Sequence, residues 1–102
     1  MNRRLIVKPA AETDVADGFR WYQARQSKLG ERFLEELDAA FQRVVENPAA
    51  YEEVLPEIRR AVAHTFPYLV FFTFDTETVY ILAVIPAAQD PQYISARLAA
   101  GS

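Results

Sequence analysis

Few side chains in this sequence could do chemistry unaided, and most of those are arginines and tyrosines. Arg59 and Arg60 are adjacent at the start of a β-prone run, and Tyr93 and Arg97 lie four apart near the C-terminus. His64 is the one imidazole in a chain without cysteine. Adjacent strand residues point to opposite faces, so Arg59 and Arg60 serve two different surfaces. A spacing of four on a helix puts Tyr93 and Arg97 on one face. His64 has no thiol and no second imidazole with which to build a zinc site or a nucleophile pair, and it precedes Thr65-Phe66-Pro67 as a loop or strand-edge residue does. Glu52, Glu53 and Glu57 could be drawn as a divalent-metal set, but nothing in their spacing fixes a geometry, and they read as a solvated acidic loop. Trp21 and Tyr22 point in adjacent helical directions, so one can be core while the other is partly exposed.

The composition bounds what these residues can be asked to do. A chain of 102 residues, 51% hydrophobic and 25% charged with only 3 Gly, is long enough for one self-sufficient core and too apolar to stay disordered. Its 11 Lys+Arg against 14 Asp+Glu give net −3 and weigh against free-standing binding of a polyanion. The charge is uneven: residues 1–30 carry net +3, residues 31–57 net −6, and residues 58–102 none. No apolar run reaches the roughly 18 residues of a membrane span, and Lys8, Glu12 and Asp14 interrupt any signal-peptide core. The expectation is a soluble cytoplasmic domain with no membrane partner, compatible with the lack of cysteine.

The elements that must position these residues follow from periodicity. Arg3 to Lys8 alternates basic and β-prone residues and meets Pro9, which predicts a short edge strand. From Ala11 a helical stripe runs through Val15, Phe19, Tyr22 and Leu29, acidic early and basic late, with Leu29-Gly30 read as its glycine stop. A second helix carries Phe33, Leu37, Ala40, Phe41, Val44 and Val45 on one side and ends at Asn47-Pro48, so the pair forms a helical hairpin joined at one glycine. Residues 49–57 read as an irregular acidic connector. Three strands follow, over 58–63, 67–75 and 78–85, with Asp75-Thr76-Glu77 as a hairpin turn; Asp90-Pro91 then opens a short terminal helix that frays into Ala-Ala-Gly-Ser. Alternation places Tyr68, Val70, Phe72 and Phe74 against Leu69 and Phe71, and Val79, Ile81, Ala83 and Ile85 against Tyr80, Leu82 and Val84. Both faces are apolar, so the second needs cover from the C-terminal helix and connector or from a partner protein. The predicted class is α+β: an N-terminal edge strand and a helical hairpin packed on a small, mostly antiparallel sheet.

That order, with Trp21-Tyr22 in the first helix, Leu29-Gly30 before Phe33, Asn47-Pro48, Ile58-Arg59-Arg60, Phe66-Pro67-Tyr68, Ile81-Leu82-Ala83-Val84 and Asp90-Pro91 before Tyr93, resembles the ParE branch of the RelE/ParE family of type II toxin–antitoxin toxins, the plasmid-stabilisation proteins. The resemblance runs from about Lys8 to Leu98 and implies that residues 1–102 form one toxin domain. It implies a cytoplasmic toxin without cofactor or metal, neutralised by a cognate antitoxin in a hetero-oligomer and touching DNA only through that antitoxin. It implies DNA gyrase as the target, bound and not chemically altered. The alternatives are a RelE-like ribosome-dependent endoribonuclease and a degenerate homologue that keeps antitoxin binding without toxicity.

The resemblance also assigns residues. Arg59, Arg60, Tyr93 and Arg97 are expected at target binding or toxicity, with a plain solvated or packing role as the alternative for each. Trp21, Tyr22, Arg25, Tyr68 and Phe72 are expected to bind the antitoxin, and the locally positive N-terminal third suits an acidic antitoxin segment. Relatives commonly carry a His and then an Arg after the last strand, where this chain has Pro86 and Gln89. Cleaving RNA needs a base for the 2′-hydroxyl and cations for the phosphorane, and neither residue supplies them. A protein target is therefore favoured over an RNA substrate.

Overall fold

Pro9 sets the first boundary of the structure, a computed structural model that describes residues 3–100. Strand β1 (Arg4–Val7) stops before it, and helix α1 (Pro9–Arg25) begins on it, because proline's missing N–H costs nothing in the first helical turn. The helix therefore starts two residues before the expected Ala11. Its end also differs from expectation. Helix α1 closes at Arg25, Lys28 takes the left-handed turn with φ 71°, and Gly30 lies inside the first turn of α2 (Leu29–Glu46). The glycine is needed for close approach and not for a stop: a Cβ at position 30 would sit 2.8 Å from both the Phe19 ring and the Gln23 amide oxygen, which instead accepts the Gly30 N–H. The hairpin is thus joined at Gln26 to Lys28. The side of α2 carrying Phe33, Leu37, Ala40, Phe41, Val44 and Val45 is buried, as its spacing predicts.

The acidic segment after Asn47 is more ordered than its composition suggests. Pro48–Ala50 forms a 3₁₀ turn and Glu52–Leu55 forms strand β2, antiparallel to β3 (Ile58–Ala63). Two local pairings replace the expected solvated loop. Glu52 meets the Arg60 guanidinium at 2.7 Å, and Glu53 accepts the Glu57 N–H at 2.7 Å across a tight turn where Pro56 precedes a left-handed Glu57 (φ 65°). Strands β4 (Tyr68–Phe74) and β5 (Thr78–Pro86) then form a hairpin. Asp75 closes it, its carboxylate accepting the Glu77 and Thr78 N–H groups, and those bonds hold its carboxyl below the usual range. Helix α3 (Pro91–Ala99) opens on Asp90, whose side chain caps the Gln92 N–H. Gly101 and Ser102, in the stretch expected to fray, lie outside the described residues.

The sheet order is β1-β5-β4-β3-β2, with β1 parallel to β5 and every other pair antiparallel. The expected alternation in β5 fails halfway. Phe72 pairs with Ile81 and Phe71 with Ala83, leaving Leu82 as an extra residue in a bulge. One unpaired residue reverses the phase of all that follow. Val79 and Ile81 share the helix side with Phe72, but so does Val84, whereas Ala83 and Ile85 pass to the outer side with Phe71. That outer cluster is covered by Leu98 and Ile94 of α3 and by Val54 of β2, so the C-terminal helix and the connector provide the cover themselves. Among the described residues no helix is long and apolar enough to cross a membrane.

Candidate functional site

The bulge in β5 creates the central feature of the site. Strand β1 ends its pairing at Ile81, so beyond that point β5 has a bare edge, and the bulge turns the Val84 N–H toward α1. Asp14 on α1 accepts that N–H at 2.9 Å. The same carboxylate takes both Arg97 nitrogens, at 2.9 and 2.7 Å, so a residue of the first helix and one of the last grip across the sheet edge. Their side chains are only 13% and 21% exposed, which strengthens the pair relative to a surface bridge. Asp14 holds the guanidinium firmly charged, and Arg97 reaches the Tyr93 hydroxyl at 3.0 Å with the same face of α3. Asp14 was legible only as acidic charge at a helix start. A sharper signal was present: it sits one position before Val15 and one turn before Gly18, flanking the apolar stripe.

Above this pair lies a cleft of about 360 Å³ whose walls include Trp21, Tyr22, Tyr68, Pro86, Gln89 and Tyr93. Gly18 gives it depth: a Cβ there would come within 2.7 Å of the Phe33 ring and 3.2 Å of the Tyr68 hydroxyl. Tyr22 is the aromatic floor, stacked with Phe33, Phe66 and Tyr68 at centroid distances of 4.8 to 6.2 Å. Burial pushes the Tyr68 phenol up to about 12, and the neighbouring Tyr22 and Asp14 act in the same direction. Trp21 and Tyr93 are 51% and 43% exposed, and the Arg25 guanidinium lies 3.4 Å from the Trp21 ring centroid.

The structure thus brings Trp21, Tyr22, Tyr68, Tyr93 and Arg97 to one cleft, with Arg25 bracing its rim. Phe72 is a correction: it is 0% exposed beneath the hairpin, packed on Tyr51 and Phe74, and offers no surface to an antitoxin. Tyr68 presents little surface, being 8% exposed. Arg59 and Arg60 diverge to the two faces as strand geometry requires, and neither lines the cleft. Arg59 donates to the Tyr51 carbonyl at 2.6 Å and pins the segment before β2, while Arg60 pairs with Glu52. His64 is exposed in the turn after β3, a turn tied to α2 by Glu36, which accepts the Thr65 and Phe66 N–H groups. Among the described residues no group of three His, Asp or Glu side chains is gathered to hold a metal.

Comparison with known proteins places this arrangement. The chain is 26% identical over 99 residues to Toxin ParE2 of Mycobacterium tuberculosis, covering 96% of this chain and 94% of that one. Its fold is similar to that of the chromosomal ParDE toxin–antitoxin system from P. aeruginosa, with a TM-score of 0.68 at 13% identity over 82% of this chain and 95% of the other. An arginine-substituted E. coli toxin RelE in the free state has a TM-score of 0.59 at 14% identity, with 98% of each chain covered. The family described as the ParE toxin of the type II toxin–antitoxin system, parDE, matches residues 5–91. A helical hairpin on this sheet, an aromatic cleft at the bare end of β5 and a family match across most of the chain lead to one assignment: the chain belongs to the ParE toxins of type II toxin–antitoxin systems.

Proposed function

We propose that this toxin works in the cytoplasm by protein–protein association, with DNA gyrase as its target, and that the antitoxin neutralises it by filling the same cleft the target needs. The observation that carries the reading is the state of the cleft: its aromatic walls, Trp21 and Tyr93, stand exposed while its arginine is already neutralised by Asp14. An apolar hollow of about 360 Å³ flanked by Trp and Tyr fits a large anchor side chain from a protein partner, the usual core of a binding hot spot. Tyr93 and Arg97, expected at the target, line the same hollow as Trp21, Tyr22 and Tyr68, expected at the antitoxin, so one occupant excludes the other. RNA cleavage finds poor support in the same geometry, because Pro86 and Gln89 supply neither base nor cation and Arg59, Arg60 and Arg97 are all paired within the chain.

Expression of the chain alone in bacteria, with DNA replication and translation followed separately, tests this. Replication is expected to stop first, and purified protein to inhibit gyrase supercoiling until a cognate antitoxin is added. Trp21→Ala and Tyr93→Ala are expected to abolish the inhibition. Early loss of translation with cleaved messages would establish the RelE-like reading instead. Unimpaired growth would establish a degenerate homologue that only binds antitoxin, and Pro86→His with Gln89→Arg would then show whether those two positions account for the silence.

A further inference from the structure

The charge of the aromatic cleft runs against that of its surroundings. Residues 1–30 carry net +3, yet the charged side chains lining the cleft are Asp14, Asp17 and Arg97, net −1. Asp14 and Arg97 neutralise one another, which leaves Asp17 as the charge a ligand would meet. It lies four residues before Trp21 on one face of α1 and is 63% exposed, and among the described residues only its Oδ1 is engaged, by Arg20 on the helix surface. The bared strand adds a second acceptor. The Val84 N–H points from β5 toward Asp14, and the N–H and C=O of one strand residue leave by the same edge, so the Val84 carbonyl also faces the side that β1 no longer covers.

The walls are aromatic and set at angles to one another. Trp21 meets Tyr22 edge to face, with 5.0 Å between centroids and 81° between planes, and Tyr22 is inclined at 57° to Tyr68. Tyr93 closes the α3 side. Rings at steep angles around one hollow surround a cation with negative π-faces. Trp21 already holds one guanidinium, that of Arg25 at 3.4 Å from its centroid, and Arg25 is not among the walls of the cleft.

We infer that the cleft is a guanidinium cage, and that the protein target docks by placing an arginine side chain between Trp21 and Tyr93 with its tip at the Asp17 carboxylate and the Val84 carbonyl; the inference rests on the protein-target reading above. Arginine suits the cage better than lysine, because its flat head stacks on rings, its fork of N–H donors spans two acceptors, and it sheds water more readily than an ammonium. An aliphatic or aromatic anchor would fill the hollow but leave both acceptors without a donor. An acidic anchor would be set against Asp17. A target that handles DNA presents basic side chains, so the complementarity holds from both partners.

The test uses the chain of 102 residues and two small probes, N-acetylargininamide and its neutral isostere N-acetylcitrullinamide. Trp21 is the one tryptophan, so its emission reports on the cleft. The arginine probe is expected to shift that emission and to bind about fivefold tighter than the citrulline probe, the worth of one partly exposed cation–π contact, with the gap narrowing as salt is added. Asp17→Asn, at an exposed position outside the core, is expected to weaken the arginine probe about threefold and to leave the citrulline probe unchanged. The same variant is expected to inhibit gyrase about threefold less well. Equal affinity for the two probes would overturn the guanidinium assignment and leave the protein-target reading standing on an apolar anchor. An arginine preference that Asp17→Asn abolishes, in a chain that does not inhibit gyrase, would overturn the gyrase reading and leave the cage.

Discussion

The Asp14–Arg97 grip makes the strongest quantitative prediction. The carboxylate accepts three hydrogen bonds, from Val84 N–H and both Arg97 nitrogens, and it joins elements 83 residues apart. Hydrogen bonds to charged groups contribute about 1.5–3 kcal/mol each in net terms, and stripping the partner from a largely buried charge costs about 3–5 kcal/mol. Arg97 remains 21% exposed and can recover some hydration, so Asp14→Ala is expected to cost about 2–3 kcal/mol. For a chain of 102 residues that corresponds to a midpoint about 10 °C lower. Thermal and urea unfolding of Asp14→Ala, Arg97→Ala and the double variant form a cycle with an expected coupling above about 1 kcal/mol. The control is Asp17–Arg20, an ion pair one helical turn apart with both side chains more than 60% exposed, where Asp17→Ala is expected to cost less than about 0.5 kcal/mol. The cycle also reads α3 directly, since Asp14→Ala should loosen it and speed exchange of the Leu98 amide. A coupling no larger than that of the surface pair would refute the claim that this grip, and not α3's apolar contacts alone, holds the cleft in shape.

The other predictions concern the turn, the core and the phenol. Lys28→Gly relieves a left-handed residue and is expected to stabilise the protein by up to about 1 kcal/mol, seen as a rise of about 4 °C in thermal unfolding; a fall would mean that the Lys28 side chain does more than occupy a turn. Trp21→Ala is expected to leave the melting temperature within a few degrees while abolishing partner binding. Phe72→Ala should cost about 3–5 kcal/mol, with any binding loss tracking unfolding, and a folded Phe72→Ala protein that specifically fails to bind would reinstate that ring as a contact. Because the Tyr68 phenol is raised to about 12 in the folded protein from an ordinary 10.0, its stabilising effect is fully present below pH 10 and is lost as pH rises through 12. Tyr68→Phe should therefore flatten the fall in stability over that interval, an effect of up to about 2 kcal/mol in urea titrations, and an unchanged slope would refute the assignment.

The internally paired arginines also reshape the charge argument. The acidic excess lies on residues 31–57, yet much of it has local work: Glu36 caps the β3–β4 turn, Glu52 pairs with Arg60 and Glu53 closes the β2–β3 turn. What remains outward at the N-terminal third is positive, and it borders the β1 edge of the sheet.

Elements whose causes are local were legible in the residues alone. The stripe from Phe33 to Val45, the proline that stops β1, the Asp75 turn and the Asp90 cap each depend on neighbours within a turn or two, so spacing and side-chain type suffice. The resemblance to ParE toxins was legible for the same reason, as an ordered series of such local signals. The site itself was only partly so. Trp21, Tyr22, Tyr93 and Arg97 could be singled out by type, but their convergence on one cleft, and the exclusion of Phe72 from it, came from how the layers stack. Gly30 looked like a stop because glycine usually marks one, whereas the need it meets is the approach of Phe19 from another helix. The bulge at Leu82 leaves no trace in an apolar run where every residue suits a strand, since its cause is the register of β4 beside it. Asp14 receives the Val84 N–H only because that bulge turns it to the bare edge of β5, and a carboxylate and a guanidinium 83 residues apart become a pair only when a sheet edge brings their helices together.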